Sequence, residues 1–154
     1  MTPVDQTVEG VGGNCYQACL ASVLDLPLDA VPHFVAIEGP TDPSSGALWF
    51  FEARLWLRET FGLDLYSYDT ADEPTPRGVF ASADLAPCQQ AAIGCGKSPR
   101  GDFLHAVVVD LDGVMVHDPH WSRSGIAGPL TAFEVLAPPR DDYTLRPTPT
   151  EEAR

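Results

Sequence analysis

A cysteine at the mouth of a helix and a histidine ninety residues later are the chain's chemical landmarks. The first lies in Gly13-Asn14-Cys15-Tyr16-Gln17-Ala18-Cys19-Leu20-Ala21-Ser22. The second opens His105-Ala106-Val107-Val108-Val109, which closes on Val116-His117-Asp118-Pro119-His120. A thiol nucleophile needs a base to take its proton and a carboxylate to aim that base, and Cys15, His105 and Asp118 supply those three types. A thiol at a helix N-terminus also gains from unpaired N–H groups and the helix dipole, which favour the thiolate. Gly12-Gly13 before it permits a sharp bend and leaves room for a substrate carbonyl. The Cys15 N–H is then one oxyanion donor, with the Gln6 amide as the candidate second donor and Gln17 its competitor.

These side chains must be delivered by a helix and a hairpin. Ala18, Cys19, Ser22 and Val23 recur at helical spacing, so a helix is expected over 14–26, capped by Asn14 and stopped by Pro27. Cys19, inside it, reads as core. A hairpin is expected over 105–118, turning on Asp112-Gly113. A two-residue turn sets Val109 opposite Val116, Val107 opposite Asp118 and His105 opposite His120. His105 and Asp118 then share a face as diagonal neighbours, about 7–8 Å apart at the backbone. A three-residue turn would flip Asp118 away. His117 and His120 are expected in solvent, His33 in a structural role. Asn14 and Tyr16 beside the thiol, Ser98 and Arg100 before the hairpin, and His120 after it are the candidate substrate contacts.

Elsewhere, Asp29–Phe34 suggests a helical turn, 38–46 a loop, 47–61 a second helix ended by Gly62, 63–68 a strand, 69–78 a loop, 89–96 a buried strand and 131–136 a last strand. Trp49, Phe50 and Trp56 read as core; Cys88 and Cys95 read as buried thiols. Helices first and an antiparallel sheet afterwards make an α+β pattern. A single domain is expected over 1–137, with a Pro-rich flexible tail over 138–154.

The net charge of −13, with nine Lys and Arg against 22 Asp and Glu, argues against nucleic acid as a partner. No apolar run reaches spanning length and no export pattern opens the chain, so a soluble, cytoplasmic protein with reduced thiols and no membrane partner is expected. No cofactor is expected. A zinc site from Cys15, Cys19, His105, His117 and His120 is possible on paper, but neither a close Cys-x-x-Cys pair nor the expected geometry supports one.

The Cys15–Leu24 run, His105–Val109 and Asp118-Pro119 together resemble papain-like peptidases that process bacteriocin leader peptides. Gln6, Gly13-Asn14-Cys15, Leu26-Pro27-Leu28, Ser98-Pro99-Arg100-Gly101 and His117-Asp118-Pro119-His120 resemble still more the short bacterial and phage-encoded relatives of unassigned role. The likeness covers 4–34 and 94–120. It implies a papain-like fold with N-terminal helices on a C-terminal antiparallel sheet. It also implies Cys15 as nucleophile, His105 as base, Asp118 as orienting carboxylate and Gln6 as oxyanion donor. The implied activity is hydrolysis of an amide, peptide or isopeptide bond in a peptide, protein or small acyl substrate. The alternatives are acyl transfer by the same triad, or a silent peptide-binding module.

Overall fold

A computed structural model describes residues 1–36, 46–82 and 89–140. The loop expected at 38–46, Cys88 and most of the expected tail fall wholly or largely outside the described residues. The fold is α+β. Helices α1 (Cys15–Leu24) and α2 (Gly46–Phe61), with one-turn 3₁₀ helices at Leu28–Ala30 and Phe34–Ala36, precede β1 (Asp64–Asp69). Helix α3 (Pro76–Ser82), β2 (Ala91–Lys97), β3 (Leu104–Asp110), β4 (Met115–His117) and β5 (Ala132–Ala137) follow. The strands form one antiparallel sheet ordered β1-β5-β2-β3-β4.

Strand alternation divides the core in two. Ile93, Ala106, Val108 and Leu136 meet Leu20, Ala21 and Val23 of α1 and Leu57 of α2 on one face. Val107, Val109, Phe133 and Val135 meet Val79 and Phe80 of α3 on the other. Glycine in β2 lets the 126–130 loop press onto that second face: a Cβ at Gly94 would stand 2.7 Å from Leu130 Cδ2, and one at Gly96 2.8 Å from Ile126 Cδ1.

Two boundaries differ from expectation. Helix α1 ends before Pro27, at Asp25, whose left-handed backbone (φ 57°) lets Leu26 N–H reach Ala21 O at 2.9 Å. The stretch read as a loop over 69–78 contains the start of α3. Pro76 sits at its first position, where a missing N–H costs nothing, and Thr75 Oγ1 accepts the Gly78 N–H at 3.2 Å. Among the described residues no helix is long and apolar enough to cross a membrane.

Candidate active site

The hairpin differs from its expected turn and still brings His105 to Asp118. Asp110 N–H donates to Val114 O at 2.8 Å across three residues, with Gly113 at φ 80° closing the connection. A bulge between Val108 and Val109 then absorbs one residue of the opposite strand, so that Val109 faces Met115 but Val108 faces His117. The longer turn and the bulge offset each other, and the register at His117 is that of a two-residue turn. His105 Nε2 lies 2.7 Å from Asp118 Oδ1, with both residues buried.

Asp118 is held from several sides. Its Oδ1 also accepts the His120 N–H at 2.9 Å, its Oδ2 accepts the Gly125 N–H at 2.7 Å, and Arg100 Nη1 stands 3.9 Å from Oδ2. Burial opposes the carboxylate's charge, yet the hydrogen bonds from His105, His120 and Gly125 hold it below the usual aspartate range. A carboxylate can only accept, so His105 Nε2 carries the proton. His105 Nδ1 is then the unprotonated nitrogen, and no described residue hydrogen-bonds to it. Burial lowers the affinity of His105 for a second proton, which Asp118 only partly opposes.

Cys15 is the first residue of α1, and α1 packs against β3. The backbone N–H of Ala106, next to His105, turns toward Sγ, as do those of Tyr16 and Cys15 itself. The lowered thiol pKa expected from the helix terminus is not found. Burial pushes Cys15 up, and those N–H groups and Arg100 only moderate the rise. Both shifts favour the thiol and the neutral imidazole. Among the described residues no hydrogen bond joins Cys15 Sγ to His105.

The turn ahead of Cys15 is built by hydrogen bonds. Gly13 N–H donates to Gly10 O and Asn14 N–H to Val8 O, both at 3.0 Å. A Cβ on Gly13 would lie 2.8 Å from the Gly10 and Val8 carbonyl oxygens. Asn14 stands at the N-cap but its side chain makes no cap bond. Its Oδ1 instead accepts the Thr7 and Val8 N–H groups, and its Nδ2 donates to Thr7 Oγ1 and Gln17 Oε1. His33 Nε2 donates to Gly13 O at 3.2 Å, the structural role expected of it.

Gln17 is fully engaged: Nε2 donates to Leu28 O and Val31 O, and Oε1 accepts from Asn14. That leaves Gln6 as the side-chain oxyanion candidate. Its N–H donates to Pro119 O at 2.9 Å, which sets it beside the Asp118 loop. Its Nε2 donates one hydrogen to Val8 O at 2.9 Å, and its buried Oε1 has no partner among the described residues.

Both outer histidines depart from the expected solvent exposure. His117 is buried and its Nε2 donates to Val4 O at 3.0 Å. His120 is buried, with Nδ1 2.8 Å from Ser122 Oγ and its ring centroid 6.4 Å from that of His105. Ser98 is buried and accepts the Arg100 N–H; Arg100 Nη1 lies 3.3 Å from Ser122 Oγ. Of the five expected substrate contacts, only Tyr16 lines the cavity that opens beside Cys15. Asn14, Ser98, Arg100 and His120 brace the scaffold around it.

That cavity holds about 390 Å³ between Cys15, the 10–13 turn, Trp49, Leu104, Cys95 and Glu134. Trp49, expected as plain core, packs edge-on against Tyr16 at 4.6 Å and also walls the cavity. Cys95 is half-buried and lines it, whereas Cys19 is wholly buried as expected. Glu134 is not among the residues expected at the site. A lone acid between Phe133 and Val135, in phase with core Leu136, was its signal: alternation points it at α1. Tyr16 donates its O–H to Glu134 Oε2. Among the described residues no group of three His, Cys, Asp or Glu side chains could hold a metal ion. Compared with known proteins, the chain matches no protein-family model, no curated protein and no solved structure.

Proposed function

We propose that this chain is a papain-like cysteine hydrolase that cleaves an amide, peptide or isopeptide bond through an acyl-enzyme on Cys15. The observation that carries the reading is the His105–Asp118 hydrogen bond, 2.7 Å long and buried, which leaves Nδ1 as an unprotonated base on the strand against which the Cys15 helix packs. Asp118 fixes the tautomer, and the enclosing residues keep His105 neutral, as a base must be.

With thiol and imidazole both neutral at rest, deprotonation accompanies attack. His105 Nδ1 takes the Cys15 proton as Sγ bonds to the carbonyl carbon, and the C=O electron pair moves to oxygen. The Cys15 N–H, at the start of α1 where no helical carbonyl takes it, and the second Gln6 Nε2 hydrogen are the donors assigned to that oxyanion. Collapse expels the amine, which leaves with the proton from His105. Water, deprotonated by His105, then attacks the thioester, and Cys15 leaves as the thiol. An amine in place of that water makes the same site an acyl transferase.

The test is alkylation of native protein by a dipeptidyl chloromethyl ketone at pH 7, with the modified cysteine located by mass spectrometry. We expect Cys15 to react alone, and His105→Ala to slow it by roughly 10²–10⁴-fold. Equal reaction of Cys15 and Cys95, or indifference to His105→Ala, refutes the enzyme reading and favours a silent peptide-binding module.

A further inference from the structure

We propose that Glu134 makes the cavity beside Cys15 a specificity pocket for a substrate group with an apolar stem and a cationic end, such as the side chain of lysine or arginine. This rests on the cysteine-hydrolase reading above. Among the described residues the cavity is an apolar chamber with one acid in it: Trp49, Val35, Phe103 and Leu104 wall it, and Cys15 and Glu134 both line it. An unneeded carboxyl here would be costly to desolvate, so it calls for a partner. Tyr16 supplies half of one, because its O–H reaches Oε2 alone. Oε1 has no hydrogen-bond partner among the described residues and is not sealed from solvent, and Glu134 lines the cavity.

No described lining residue is basic. Among the described residues the titratable groups that face Glu134 are Tyr16 and Cys19 from α1 and Cys95 from β2, with Cys15 across the cavity, and none of them brings positive charge. With no cation supplied by the described lining residues, it is assigned to the ligand. Its stem would lie along the aromatic and aliphatic walls, and its head would donate to Oε1. The net charge of −13 draws such ligands toward the protein. Desolvation raises the Glu134 carboxyl to about 7, so it switches charge near neutrality. Preference for a cation should therefore strengthen as pH rises from 6 to 8. Glu134 is half-buried, and apolar residues make up most of the described wall around it.

The experiment compares two dipeptidyl chloromethyl ketones that differ only in lysine or norleucine, placed at either residue on the acyl side. Rates of Cys15 alkylation are read at pH 6 and 8 in the parent and in Glu134→Gln, which retains an oxygen to accept from Tyr16. The lysyl reagent should lead by roughly tenfold to a hundredfold at pH 8, less at pH 6, and the lead should vanish in the Gln variant. Equal rates for the two reagents in the parent overturn the pocket and leave the hydrolase reading intact. So does a Gln variant in which both rates fall together, which makes the carboxyl purely structural. Failure of Cys15 to react with either reagent sinks the hydrolase reading itself, and the pocket with it.

Discussion

Asp118→Asn tests whether one carboxylate both organises the loop and sets the base. The parent carboxylate accepts three hydrogen bonds, from His105 Nε2, His120 N–H and Gly125 N–H, at 2.7, 2.9 and 2.7 Å. An asparagine has one oxygen for them. With its oxygen at the Oδ1 position it keeps His105 and His120 but turns an NH₂ onto the Gly125 N–H. With its oxygen at Oδ2 it keeps Gly125, orphans the His120 N–H and faces the imidazole with a donor. His105 then protonates Nδ1 to accept at Nε2, and the base facing the thiol is lost. Either way one buried N–H is unpaired and the charge-assisted bonds weaken, a loss of about 2–4 kcal/mol. At about 2–4 °C per kcal/mol for a chain of this size, the melting temperature should fall by roughly 10 °C. The folded carboxyl lies below its unfolded value, so its stabilisation is complete above the unfolded value and fades as pH falls through the folded one. The deficit of the variant should therefore be full at pH 7 and shrink below pH ~4. Thermal melts against pH, beside Cys15 alkylation by the peptidyl ketone, read both effects. A variant that melts within 2 °C of the parent, or that alkylates at the parent's rate, refutes the reasoning (~2 °C is about what 1 kcal/mol produces).

Glu134→Gln should change the pH dependence of stability in the opposite sense. Its carboxyl is raised to about 7 in the folded chain, so parent stability falls as pH climbs from about 4.5 to 7. The Gln variant lacks that decline, and urea titrations at pH 5 and 8 should show it gaining on the parent by on the order of 2 kcal/mol; parallel curves would contradict this. Gly13→Ala places a Cβ 2.8 Å from two backbone oxygens that cannot swing away. We expect a loss of about 1–3 kcal/mol and slower Cys15 alkylation, checked by denaturation and labelling together. Asp64→Asn breaks the buried cluster in which Arg54 binds the carboxylate at 2.8 and 2.7 Å and Arg58 binds it as well. About 3–5 kcal/mol should be lost in urea titration, while the choice of Cys15 over the other cysteines stays as in the parent.

Local pattern made much of the framework legible. The α1 and α2 helices follow from apolar spacing, and Gly62 (φ 65°) ends α2 as its type demands. Strands at 64–69, 91–97 and 132–137 follow from alternation and small-residue content. Helix α3 was obscured because Pro76 reads as a breaker until its place after a capping Thr75 is known. At the site, His105 and Asp118 were legible as a pair, though by a route the hairpin does not take.

The rest depends on distant segments meeting. Asn14 was read as a helix cap because that is a local role, but its amide is spent on Thr7, Val8 and Gln17 in a folded-back turn. His117 and His120 were expected in water, but Val4 and Ser122 cover their polar atoms. The thiol shows the limit most directly. A helix N-terminus favours the thiolate, and sequence reveals that; burial opposes it more strongly, and only packing decides burial. What the sequence determined by itself was residue type, period and turn chemistry: a cysteine at a helix start, a histidine and an aspartate on one hairpin, two helices ahead of the first strand. What tertiary structure alone decided was the bulge that restores register, the enclosure that keeps thiol and imidazole neutral, and the cavity that brings Glu134 near Cys15. Periodicity is written along the chain, whereas desolvation and convergence belong to neighbours that are remote in sequence.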